Sequence, residues 1–197
     1  MKTTKTLTII ALLTSLIITS DYALAPIPNV KILDTIVFAS AYSLGFRIGA
    51  SVAVLSELIW GVISPYGAVT PIIFFLISGE LLFAFAGWGA SKVWGDKVKI
   101  LSSKAVYFAA TLSVCAFVWD TYANFGTALL VEWNHLSLVT FMPFEIASVA
   151  GGFLFSHMIG DLVIGAILAP IAIKYLSRVF PKDATPVGRE IGEPQVG

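Results

Sequence analysis

Residues 69–93, VTPIIFFLISGELLFAFAGWGASKV, carry one carboxylate, Glu80, near the middle and one basic residue, Lys92, at the end. A bilayer core about 30 Å thick takes about 20 mostly apolar residues per spanning helix. The stretch therefore reads as a membrane span. A charged carboxylate at mid-bilayer costs on the order of 2.5–3.5 kcal/mol, so Glu80 is expected to face a protein interior and to serve function. Ala84 and Gly87 follow it on the same helical face, and their small size allows close packing or a cavity there.

Five further apolar stretches flank this one, at residues 7–24, 35–46, 48–63, 105–130 and 152–176. Two of them, 35–46 and 48–63, are short. They read as a helical pair packed among longer helices and bent at Gly45-Phe46-Arg47-Ile48-Gly49. The composition agrees with a membrane chain: 57% of the 197 residues are hydrophobic and only 12% charged, where a soluble domain has about 25% charged. Twelve basic and twelve acidic residues cancel, so no basic excess points to a nucleic-acid partner. The single cysteine, Cys115, cannot pair within the chain.

Basic residues set orientation in membrane proteins, favouring the cytoplasmic side. With six spans and a cytoplasmic N-terminus, 11 of the 12 fall inside and only Lys31 outside. Merging 35–46 with 48–63 would put flanking positives on conflicting sides. The expected fold is an all-α integral membrane bundle of six transmembrane helices over residues 1–180, with both termini cytoplasmic. Residues 181–197 hold three prolines and three glycines and are expected to form a short disordered cytoplasmic tail. The first 25 residues also read as a secretory signal ending at Ala23-Leu24-Ala25, and the charge rule alone does not decide between the two.

Acidic residues are distributed just as unevenly. On this topology Asp21, Asp34, Glu57, Asp120, Glu132, Glu145 and Asp161 lie in the outer half or outside, while only Asp96, Asp183, Glu190 and Glu193 lie inside. Asp120 and Asn124 are spaced i and i+4, with Trp119 adjacent. His157, Asp161 and Gly165 share one face of the last span. The segment from Glu132 to Glu145, with Glu132-Trp133-Asn134-His135, reads as the longest external loop, a binding loop or lid. Pro26-Ile27-Pro28-Asn29-Val30 is expected to be held extended across the same mouth. Trp60, Trp88 and Trp94, near span ends, read as interfacial anchors. Acids, an amide, imidazoles and indoles together suit a ligand with hydrogen-bonding groups and an aromatic or cationic part.

The order of these features is similar to the substrate-binding S components of energy-coupling factor (ECF) transporters. The likeness lies in Pro28-Asn29-Val30 through Asp34-Thr35-Ile36-Val37-Phe38, Gly45-Phe46-Arg47-Ile48-Gly49-Ala50, Ser64-Pro65-Tyr66-Gly67, Asp120-Thr121-Tyr122-Ala123-Asn124 with Gly126-Thr127-Ala128, and His157 through Pro170. The resemblance implies a retained first helix and capture of a vitamin or related micronutrient, delivered with a transmembrane coupling subunit and two cytoplasmic ATPases. It assigns the substrate to Glu80, Asp120, Asn124, Trp133, His157 and Asp161. It assigns the coupling-subunit contact to Ala11 and Ser15, where many members have two alanines four apart. The lining leans toward a cationic heteroaromatic substrate. No metal, cofactor or catalysis is expected: the N-terminus offers no histidine, and no phosphate-binding glycine loop, His-Glu-x-x-His or Gly-x-Ser-x-Gly occurs. The alternatives are a membrane scaffold of an envelope assembly, whose polar residues only pin helices together, and an intramembrane enzyme using Glu80, His157 and Asp161 as acid and base.

Overall fold

The computed structural model describes residues 2–27, 29–65, 70–95, 98, 102–131 and 138–180. All regular structure among them is helical. Seven α-helices follow in order: α1 Lys2–Leu24, α2 Leu33–Leu44, α3 Phe46–Ile63, α4 Ile73–Trp94, α5 Ser103–Val131, α6 Leu138–Ala150 and α7 Phe153–Val179, with one 3₁₀ turn, Thr70–Ile72, before α4. Five of these, α1, α3, α4, α5 and α7, are long and apolar enough to cross a membrane. Their outward faces carry Leu12, Val62, Phe74, Val93, Val106, Val114 and Tyr175, each more than half exposed. Such a surface suits hydrocarbon, because water would make every one of these side chains a liability. The proposed tail, 181–197, lies outside the described residues.

Helix α2 is the exception and the centre. All twelve of its residues are buried, against α3, α4 and α7. At about 1.5 Å per residue it is only about 18 Å long, too short for a lipid-facing span. It needs no more, because protein rather than lipid surrounds it. The expected break falls between Leu44 and Phe46, where Gly45 adopts φ 96°, a left-handed conformation that an L side chain rarely takes. At the far end of α2 an aromatic knot closes the core: Phe38 and Tyr42 each place their rings 5.4 Å from that of Phe108. The Tyr42 hydroxyl donates to the Gly95 carbonyl at 2.5 Å.

Close packing on α2 rests on glycine. A Cβ at Gly87 of α4 would overlap the backbone carbonyl of Phe38, and one at Gly49 of α3 would overlap Ala41. The expectation that the small residues after Glu80 allow close helix approach is met here: Ala84 is fully buried and Gly87 lies on the α2 backbone.

Two expectations fail. The segment from Glu132 to Glu145 is not one long loop, since α6 begins at Leu138 and continues past Pro143 to Ala150. Proline inside a helix removes a hydrogen bond and reads locally as a breaker, but packing against α5 and α7 holds the helix together. Of the segment from Pro26 to Val30, Pro28 lies outside the described residues, and the residues around it are not extended. They turn, with the Ile27 amide donating to the Leu24 carbonyl at 2.8 Å, the Val30 amide to the Ile27 carbonyl at 3.3 Å, and Asn29 at φ 58°.

Replacing Gly87 by Val should therefore destabilise the chain by about 3 kcal/mol or more, because backbone cannot yield as a side chain does. Gly89→Ala, two positions on and so on the opposite side of the helix, with open space around it, should leave the melting temperature in detergent unchanged or raised. Equal melting of both variants and the native chain would remove the central role given to α2.

Candidate functional site

A cavity of about 410 Å³ opens at the end of the bundle where α1, α3 and α5 finish and α4 and α7 begin. That volume lies within the range of about 300–1,000 Å³ common to small-molecule sites. Three carboxylates line it, Asp21 of α1, Glu57 of α3 and Asp120 of α5, with the indoles of Trp60 and Trp119. The turn between α1 and α2 contributes Asn29, Val30 and Lys31, and α6 closes the side with Phe144, Ala147 and Ser148.

Lys31 is the basic residue of this wall. Its Nζ lies 4.1 Å from the Trp119 ring centroid and 3.9 Å from Glu57 Oε1. Burial opposes its charged form, but Glu57, Asp34, Glu80 and Asp21 surround it and together hold the ammonium above the ordinary lysine range. Asp21 caps the start of α2 from outside the helix, one oxygen accepting the Ile32 amide at 2.8 Å. Helix α6 is latched by Glu145, which accepts from Thr121 Oγ1 at 3.1 Å and from Asn124 Nδ2 at 2.8 Å.

Below the cavity a polar chain enters the bundle. Asn29 Nδ2 donates to Asp120 Oδ1 at 3.1 Å and to the Phe153 carbonyl at 3.2 Å. Asp120 Oδ2 lies 3.0 Å from His157 Nδ1, and His157 Nε2 lies 3.0 Å from Asp34 Oδ2. Each nitrogen–oxygen contact needs a proton, so Asp120, His157 and Asp34 share two protons among three groups. The His157 ring is stacked on Phe83, centroids 6.5 Å apart, and meets the edge of Trp119 at 5.5 Å. Glu80 and Asp161 lie beside Asp34, close enough to couple electrostatically. Among the described residues no N–H or hydroxyl donor reaches an oxygen of either, and the group each can share a proton with is the Asp34 carboxylate.

The residues assigned to substrate from the sequence thus divide into two layers. Asp120 and Asn124 line the cavity, though the Asn124 amide is engaged by Glu145. Glu80, His157 and Asp161 are no more than 1% exposed and lie beneath the cavity rather than on its wall. Glu80 does face the protein interior, as its expected cost in lipid demanded. Trp133 lies outside the described residues, with the rest of 132–137. Trp60 is no interfacial anchor: it is 7% exposed, walls the cavity and meets Tyr22 edge-on at 5.5 Å. Asn29, Lys31, Asp34 and Glu57, expected at or near the outer side but not assigned to substrate, complete the site. The signal for the acids lies in their outward bias, for Asn29 in its place in the segment expected at the mouth, and for Lys31 in being the one basic residue on the outer side; which atoms each touches is set by contacts distant in sequence. Ala11 and Ser15 both lie on the exposed face of α1. Comparison with protein-family models, with curated proteins and with solved structures finds no match.

Replacing Lys31 by Met leaves Glu57 buried without its cation, and breaking a buried pair from one side costs about 3–5 kcal/mol. Melting of the detergent-solubilised protein should fall accordingly and recover in part when Glu57→Gln is added. Unchanged melting of the single variant would mean that the pair carries no weight.

Proposed function

We propose that the chain is the membrane-embedded substrate-capture subunit of an ECF-type importer for a small micronutrient. In this reading it crosses the membrane six times, α2 being a short span shielded by protein, and keeps both termini in the cytoplasm. The partition of basic residues, 11 inside against one outside, supports that orientation. The observation that carries the reading is the cavity. It sits at the end that this topology turns outward, and three carboxylates and two indoles line it around a single lysine.

Such a wall favours a cationic heteroaromatic ligand. Indole faces attract cations and stack on rings, and carboxylates in a water-poor site pair strongly with positive charge. Asn29 and Ser148 add neutral groups able to fix orientation. The turn carrying Asn29 and helix α6 both border the mouth.

Energy would come from partners, a transmembrane coupling subunit and two cytoplasmic ATPases. The exposed face of α1 suits the first of these. Ala11 and Ser15 are small, four residues apart and turned away from the bundle, so another helix can approach closely. The acid–base reading needs a group that reaches a substrate, whereas His157 lies behind Asp120. That favours capture over catalysis.

Mass spectrometry of small molecules that co-purify with the protein tests capture. Asp21→Asn keeps an acceptor for the Ile32 amide but removes a charge, and with Trp60→Leu it should weaken ligand retention at least about tenfold, or about 1.4 kcal/mol. Retention unchanged in both variants would remove the cavity from the function. Ala11→Leu with Ser15→Leu should leave ligand bound yet abolish co-purification of a coupling subunit; an intact complex would exclude this face as the contact.

A further inference from the structure

We propose that Asp34, His157 and Asp161, with Glu80 beside them, form a binding site for a first-row divalent metal ion in the middle of the bundle. The site lies beneath the cavity, so the inference holds whether or not the chain is an importer.

Geometry comes first. An oxygen of Asp34, a ring nitrogen of His157 and an oxygen of Asp161 lie within 4.8 Å of one another, all three residues buried. With metal–ligand bonds of about 2.1 Å, neighbouring ligands sit about 3.0 Å apart in an octahedron and about 3.4 Å apart in a tetrahedron. The 3.0 Å between His157 Nε2 and Asp34 Oδ2 already has that spacing, and the Asp161 oxygen, within 4.8 Å of both, would move inward to meet the ion.

Unanswered polar groups come second. Both oxygens of Asp161, both of Glu80 and Oδ1 of Asp34 are buried with no N–H or hydroxyl donor among the described residues, so these acids face one another across Asp34. Asp161 is 1% exposed and Glu80 fully buried. Buried carboxylates are ordinarily paired or coordinate metals, and the nearby cations, His157 and Lys31, are fewer than the acids they face.

The orientation of His157 is the third observation. Its Nδ1 lies 3.0 Å from Asp120 Oδ2, the carboxylate–histidine arrangement that fixes a metal-binding imidazole and leaves the other nitrogen to the ion. One nitrogen with two or three carboxylate oxygens suits Zn²⁺, Mn²⁺, Fe²⁺ or Co²⁺ better than Mg²⁺ or Ca²⁺, which prefer oxygen alone. Ligands must be ionised or carry a free lone pair, so the proton shared by Nε2 and Asp34 leaves to solvent on loading, together with any proton held on Asp161 or Glu80. Asp34 is 123 residues from His157 and 127 from Asp161, so no short ligand motif announces the site.

The probe is Co²⁺, added to tag-free, chelator-treated full-length protein in detergent, with Mn²⁺ and Zn²⁺ in parallel. The expected result is about one ion per chain after gel filtration and, for Co²⁺, a visible absorption distinct from the aquo ion. At least about one proton should be released per ion bound. Asp161→Asn and His157→Gln should lose the ion, Asp120→Asn should weaken it about 10- to 100-fold as a lost supporting carboxylate does, and Gly89→Ala should bind as the native chain does. If the substituted chains fail to fold, the native chain decides alone: only the aquo-ion spectrum, with no ion retained, overturns the proposal. Equal loading of folded His157→Gln and native protein overturns it too.

Discussion

His157 is held between two carboxylates, Asp34 and Asp120, at 3.0 Å on either side, and this contact ties three helices together. Asp34 starts α2, Asp120 lies near the end of α5, and His157 is in the second turn of α7. None of the three groups could be left alone in an apolar interior without a cost of several kcal/mol. Each is tolerable only where the other two stand, so the contact fixes the relative height of the three helices as well as their proximity. The cavity above follows from it: Asp120 forms its floor, Trp119 beside it turns toward Lys31, and Asn29 reaches down from the turn to the free oxygen of Asp120.

The second constraint is the position of α2. A twelve-residue helix bearing Asp34, Thr35, Ser40 and Ser43, all at most 1% exposed, would be unstable against lipid and is stable as a core. The longer helices shield it, and glycines at Gly49 and Gly87 bring two of them onto its backbone. Large apolar side chains cover the outside, and within an otherwise apolar core the carboxylates gather around His157. That gathering makes the interior a place for charged or metal ligands, beneath the cavity at the end where α1, α3 and α5 finish.

Much of this was legible in the sequence because it is local. Span lengths, the break at Gly45 and the inward face of Glu80 follow from hydropathy and from the cost of charge in hydrocarbon. The pairing of His157 with Asp161 on one face follows from helical spacing. What was not legible depends on contacts between distant segments. Helix α6 carries Pro143 and a polar approach, so its local signals say loop, and only Glu145 reaching Thr121 and Asn124 shows what it closes. Trp60 looks like an anchor at a span end until Tyr22 and the cavity wall are seen around it. The separation of Asp120 from Glu80, His157 and Asp161 into wall and interior is likewise a matter of depth, which periodicity does not report.

A density map of the protein purified from its native membrane without ligand stripping tests the account most directly. Non-protein density between Trp60, Trp119 and Asp120, small enough for the 410 Å³ available, is the predicted result. A mouth filled by the chain's own side chains, or by a lipid tail entering between the helices, would contradict it.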